Sequence, residues 1–370
     1  MTLFESDHGW PPPPARRPPR WRLRGIAFGL VIAGAAAAGL VLTALPSNPL
    51  SALTSYSLST ETAQIADRIG FSDEGREIFL ATHPQLLDSS DFRRVCDDNP
   101  DGAHGGDFAT VGCYYGLGES FGRIAIFRPG DARLADQIVV TAAHEFLHAA
   151  YARLTSGEQA RLDALLDTRW STIAADDPIQ ASVDSSVGSA AENRSTEEFA
   201  YFGTEIADAV DPALEAYYAP YFRDRGALVA IHDADRALWD GLQAGYSAKA
   251  DALAVQEQAN ADASAQLQAD RTQLAADRDG YNRQADEYNA LSPEVRARTY
   301  VADSDATSGG EPYGSYLAGR LAEFATRESD QSRRRSELDA AEAAAPAART
   351  EVERLYADFE ALTVAAVPAT

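Results

Sequence analysis

The chain has 370 residues, 45% of them hydrophobic, and 32 Lys plus Arg stand against 56 Asp plus Glu for a formal charge of −24. A polymer of this length can bury a substantial core and is expected to form two folded units, and so acidic a chain is a poor match for nucleic acid. The only two cysteines, Cys96 and Cys113, exclude a disulfide-rich miniprotein and any four-cysteine zinc module.

Residues 1–24 form a Pro/Arg-rich stub with Pro11 to Pro14 and five arginines, the last of them Arg24. Residues 25–45 follow without a single charge, GIAFGLVIAGAAAAGLVLTAL. At about 1.5 Å per residue a helix of this length spans roughly the hydrocarbon core of a bilayer. The arginines precede the run and no basic residue occurs between Ser47 and Thr60. The pattern predicts a single transmembrane helix in the cell membrane, with the N-terminus cytoplasmic and the remainder extracytoplasmic. A cleaved export signal is the alternative.

Residues 46–239 mix helical periodicity, extended runs and Gly-rich turns, as an α+β domain does. Gly122 to Phe127 reads as a short strand that runs into a turn at Pro129-Gly130. Asp131 is placed to cap the next helix, and Leu134, Ile138, Ala142 and Phe146 recur at helical spacing. That helix carries His144-Glu145-Phe146-Leu147-His148, an H-E-x-x-H pattern. Its two histidines are one turn apart on one side, where two imidazole nitrogens can reach one zinc ion, and Glu145 can act on a metal-bound water.

A catalytic zinc site takes a third protein ligand and leaves one position open. Tyr151 and Leu154 stand where a metzincin has Gly and His, which excludes that class. Downstream, Thr155-Ser156-Gly157-Glu158 carries capping signals, and Leu162, Leu165, Leu166 and Trp170 give a further helix one apolar face. Residues 174–191 read as a polar loop able to cover the cleft, and Asn193-Arg194-Ser195 reads as an incidental glycosylation sequon. The run Ser195-Thr196-Glu197-Glu198 then offers two carboxylates. With Ser195 as N-cap, Glu198 completes a capping box and Glu197 is left as the third ligand, Glu198 being the alternative.

At these residues the chain resembles the gluzincin metallopeptidases, the thermolysin-like and membrane-alanyl-aminopeptidase-like group, in which a Glu from a following helix joins H-E-x-x-H. Glu197-Glu198-Phe199-Ala200 is similar to the aminopeptidases' E-G-x-A block, and Phe202-Gly203-Thr204 to the thermolysin-like helix. The resemblance implies that His144, His148 and Glu197 bind zinc and that Glu145 is the general base. It also implies that the strand before the metal helix walls the cleft and pairs with extended substrate, an ordinary internal strand being the alternative. Tyr217, Tyr218, Tyr221 and His232 follow the Glu helix and are candidate donors to an oxyanion. An extracytoplasmic Cys96–Cys113 disulfide would stabilise the domain by roughly 3 kcal/mol.

Residues 240–370 are rich in Ala, Gln, Asp, Glu and Arg. Tyr246, Leu253, Leu267, Leu274, Tyr281 and Tyr288 share one seven-residue register, and Leu317, Phe324, Leu338, Ala345, Val352 and Phe359 share a second. With breakers at Ser292-Pro293 and Gly309-Gly310, the pattern predicts two long helices folded back as a thin antiparallel coiled-coil hairpin, kinked at Pro346. The whole chain is thus expected to be mainly α (α+β): a transmembrane helix, a zincin-like metallopeptidase domain with a short sheet, and the hairpin. The expected function is hydrolysis of protein or peptide substrates by a zinc-activated water, with the hairpin engaging an envelope protein. A non-enzymatic scaffold with a structural or vestigial metal site is the alternative.

Overall fold

A computed structural model describes residues 31–34, 56–96, 110–116, 122–188, 190–207, 211–301 and 310–369. The protein is mostly helical and divides into two compact units, residues 1–240 with 360–370, and residues 241–359. Among the described residues the expected transmembrane helix is not found. The described portion of the apolar run, Val31–Gly34, is a strand, β1, paired parallel to Thr110–Gly116, β3. Among the described residues no helix is long and apolar enough to cross a membrane. This overturns the single-pass cell-membrane localisation and the transmembrane element of the expected fold. An uncharged run rich in β-branched and small residues satisfies a strand as well as a membrane helix, and its composition alone does not choose. The stub at 1–24 and the rest of 25–45 lie outside the described residues.

In the first unit a sheet with strand order β1-β3-β4-β2 stands behind one long central helix. β4 (Gly122–Phe127) is antiparallel to β3 and parallel to β2 (Gln85–Leu87). The strand expected to offer a free edge to substrate is therefore internal, hydrogen-bonded on both sides. Its alternation separates two cores: Ile124 and Ile126 pack in the cluster that contains α4 (Ala135–Tyr151), whereas Ala125 and Phe127 pack with Phe92 and Cys96 of α3 (Ser89–Cys96). Cys96 and Cys113 are bonded and fasten α3 to β3.

Helices α1 (Thr60–Ile69) and α2 (Asp73–Ala81) start at the N-caps Ser59 and Ser72, whose hydroxyls accept backbone N–H groups. A 3-10 turn, Ala132–Leu134, capped by Asp131, leads into α4. The capping box at Thr155 and Glu158 opens α5 (Ser156–Trp170). The segment read as a loop contains α6 (Pro178–Val187), started by Asp177 as N-cap with Pro178 in the first turn. Its buried face is Ile179, Val183 and Val187, a stripe at four-residue spacing that the polar and small neighbours obscure. A second 3-10 turn (Ala191–Asn193) precedes α7 (Arg194–Glu205), followed by α8 (Pro212–Tyr218). Asn193 is buried at that junction, so the sequon is not presented for glycosylation in the folded chain.

The second unit is built from α9 (Arg225–Ala290, in this unit from residue 241), the single turn α10 (Pro293–Arg296) and α11 (Tyr313–Ala365, here to residue 359). Leu267, Leu274, Leu317, Phe324 and Leu338 are buried along the seam, and Tyr246 meets Tyr356 while Tyr281 meets Phe324. Charged neighbours of the seam pair across it, Arg327 with Asp277 at 2.7 Å and Arg334 with Asp270 at 2.6 Å. Pro346 lies inside an uninterrupted α11. The chain then returns to the first unit, where Gln137 donates to the Ala366 carbonyl at 3.0 Å.

Because the disulfide closes a 17-residue separation, replacing both cysteines by serine should lower the unfolding free energy by about 2–4 kcal/mol. Urea unfolding of oxidised wild type beside the double variant measures it, and an unchanged midpoint would show that α3 is held by packing alone.

Candidate metal centre

Helix α4 is buried along nearly its whole length, which is why its sequence lacks the polar face of a surface helix. Within this largely apolar element His144, Glu145 and His148 are the buried ionisable residues, with relative exposures of 0%, 0% and 2%. Helix α7 packs beside it. Gly203 is what lets the two approach, since a Cβ at that position would collide with Leu147 of α4 and with Tyr218.

The approach carries Glu197 between the two histidines. Its Oε2 lies 3.4 Å from His144 Nε2 and its Oε1 3.7 Å from His148 Nε2, and one donor atom from each of the three residues lies within 4.8 Å of the others. Tetrahedral ligands at about 2.0–2.2 Å from one zinc ion are themselves about 3.3–3.6 Å apart, so this buried group could hold a metal ion with little rearrangement. Both ring nitrogens of His144 lack a hydrogen-bond partner, a state that buried imidazole tolerates poorly unless a metal takes the lone pair. Burial, and then the neighbouring His148, hold the His144 pKa well below its usual value, so the ring stays neutral, as a metal ligand must be.

Glu198 points elsewhere. It pairs with Arg194 one turn earlier at 3.3 Å, and burial above all raises its pKa to about 7. The expected capping box is absent, because α7 begins at Arg194 and Ser195 is already helical. The backbone phase that the box would have set is supplied by the 3-10 turn, and it turns Glu197, not Glu198, toward α4.

Glu145 faces the sheet. A Cβ on Gly112 of β3 would run into its carboxylate and into Thr141, so the missing side chain makes the space that Glu145 occupies. Neither carboxylate oxygen makes a hydrogen bond, and the Tyr114 backbone amide gives its charge only weak relief. Burial first and the Glu197 charge second push the Glu145 pKa well above the usual range.

The expected oxyanion donors are engaged elsewhere. Tyr218 stacks on Phe199 and donates to its carbonyl at 2.9 Å, and Tyr221 packs edge-on against Phe146. Tyr217 reaches the Glu158 carbonyl at 3.4 Å, and His232 sits 3.8 Å from Glu205. Two residues that were not singled out touch the histidines instead. Tyr201, one turn after Glu197, sets its ring edge-on to His144 at 4.6 Å, with its hydroxyl 2.8 Å from Ser186. Thr196 places its hydroxyl 2.8 Å from His148 Nδ1. The four-residue step from Glu197 to Tyr201 is the one signal in the sequence that pointed to either.

Comparison with protein-family models, with curated proteins and with solved structures gives no match, so no family assignment accompanies this geometry.

Two measurements probe the surroundings of the centre. Gly112→Ala should displace Glu145 while leaving His144, His148 and Glu197 in place, so metal stoichiometry should persist in the purified variant; loss of metal would show that β3 supports the ligands themselves. The Glu205 side chain is only 9% exposed, and this desolvation, opposed by Arg236 and reinforced by Asp177 and Asp235, raises its pKa from 4.5 to about 8. The folded state then binds an extra proton between those values, so its stability falls as pH rises through that window. In Glu205→Gln this loss should vanish: the variant's melting temperature should match wild type below about pH 4.5 and exceed it increasingly up to about pH 8.

Proposed function

We propose that this chain is a zinc metallopeptidase in which His144, His148 and Glu197 hold the metal and Glu145 is the general base. The observation that carries the reading is the convergence, inside an apolar helix pair, of two imidazoles and a carboxylate drawn from two helices, with a further carboxylate beside them and no hydrogen bond to spend it on. Two nitrogen donors and one oxygen donor suit zinc, and three protein ligands leave a position for the reaction, whereas structural zinc usually takes four. A zinc ion bound there supplies Lewis acidity toward water and the scissile carbonyl.

Glu145 takes the proton of the attacking water as its oxygen adds to the peptide carbonyl, and returns a proton to the amine as the C–N bond breaks. Its apolar surroundings raise its proton affinity, which suits it to taking that proton, and the space at Gly112 accommodates its carboxylate. Extended peptide or protein is the proposed substrate, and the long hairpin is the proposed contact for a protein partner.

Complete burial of the group favours one competing reading, a metal that only stabilises the fold. The Glu145→Gln variant separates the two. On the peptidase reading it keeps one metal per chain by elemental analysis and loses about 10²–10⁴-fold in peptide hydrolysis. His144→Ala should lose metal and hydrolysis together. A wild-type protein that binds metal, melts on chelation and cleaves nothing in a peptide library would leave the stabilising role.

A further inference from the structure

The two metal-binding histidines are held by different means. His144 has no hydrogen bond at Nδ1 and is oriented by packing, its ring edge-on to Tyr201. His148 Nδ1 lies 2.8 Å from the hydroxyl of Thr196, and both residues are buried. Thr196 is the residue directly before Glu197, so the first turn of α7 reaches the same imidazole twice, once at each nitrogen: Glu197 Oε1 faces Nε2 at 3.7 Å and Thr196 faces Nδ1.

We infer that Thr196 is a positioning residue for the metal centre, whose hydroxyl accepts the Nδ1 proton of His148 and so presents the Nε2 lone pair to the metal. The inference rests on the metal-binding reading above but not on peptidase activity. The tautomer argument is short. A neutral imidazole carries one ring proton, and the nitrogen that faces Glu197 and the metal position is Nε2. Metal on Nε2 leaves the proton on Nδ1, inside the protein, where a buried N–H needs an acceptor. The Thr196 hydroxyl stands at hydrogen-bond distance from it. Such outer partners fix ring orientation and raise the basicity of the ligating nitrogen.

A hydroxyl rather than a carboxylate at this place has a chemical consequence. Glu197 and Glu145 already put two acidic groups around the histidines. A third would raise the electrostatic cost of the metal-free state, whereas threonine orients the ring without adding charge. The consequence for metal binding is an asymmetry: His148 arrives pre-oriented by a hydrogen bond, and His144 depends on the fit of Tyr201.

The test compares Thr196→Val, which keeps the shape and removes the oxygen, with Thr196→Ser, which keeps the oxygen. Zinc affinity is read by competition with a chromophoric chelator, the cobalt(II) absorption spectrum reports ligand geometry, and nitrogen-15 chemical shifts of the zinc-loaded protein report which ring nitrogen of His148 carries the proton. Thr196→Val should bind zinc about 10–100-fold more weakly with a shifted cobalt spectrum, and Thr196→Ser should return to within a few-fold of wild type. A purely structural role would lower the melting temperature of the metal-free protein without a matching change in the cobalt bands. Wild-type affinity and spectrum in Thr196→Val, or a zinc-loaded His148 protonated at Nε2, would overturn the inference while leaving the metal site standing. A wild-type chain that binds no metal would overturn both. Hydrolysis by Glu145→Gln bears only on the peptidase reading and leaves this one untouched.

Discussion

The structure of the first unit turns on one electrostatic demand: the Glu197 carboxylate sits between two buried imidazoles in a largely apolar interface. An isolated carboxylate in such surroundings is costly, and it remains there only if a proton or a cation shares the site. The helices around it restrict the alternatives. Gly203 brings α7 close to α4, and the Arg225 guanidinium closes the far end of α7 by donating to the carbonyls of Phe202 and Ile206 while pairing with Glu215 at 2.6 Å. Helix α7 therefore cannot easily rotate or slide to take Glu197 out of the interface.

The sheet serves the same end from the other side of α4. Its inner face supplies apolar residues at Ile124 and Ile126, and at Gly112 it supplies nothing, which leaves room for Glu145. The outer face is fastened to α3 by the Cys96–Cys113 bond and by the edge-on contact of Phe92 with Phe127. In the proposed role of Glu145 a fixed position matters more than hydrogen bonds, and that position would come from a missing side chain on a braced strand.

Much of this was legible from residue spacing because the physics involved is local. The four-residue step of the histidines, the cap at Asp131, the capping box at Thr155 and the seven-residue registers of the long helices each depend on neighbours within two turns. The misreadings have physical causes. Ser195 carried a capping pattern but lies one residue inside a helix that a 3-10 turn had already begun. The segment around Ser182 and Ser186 is polar enough to read as a loop, yet both serines are buried, one of them against Tyr201. The run at 25–45 has the composition of a membrane helix, but its described residues pair with β3. In the last two cases a tertiary neighbour overrode a local preference, and at Ser195 the helix had started earlier in the chain.

The sequence by itself determined the chemistry on offer: two imidazoles on one side of one helix with a carboxylate beside them, because the periodicity of an α-helix is fixed by the backbone and needs no fold to express it. It also determined that a carboxylate would come from Glu197 or its neighbour. Which of the two points inward, that Thr196 reaches His148, that Gly112 makes space for Glu145, and that Tyr217, Tyr218, Tyr221 and His232 are employed elsewhere were decided only by the packing of α7 and β3 on α4. Those are contacts between residues tens of positions apart, set by the shape of a shared core to which every element contributes, and no local pattern encodes them.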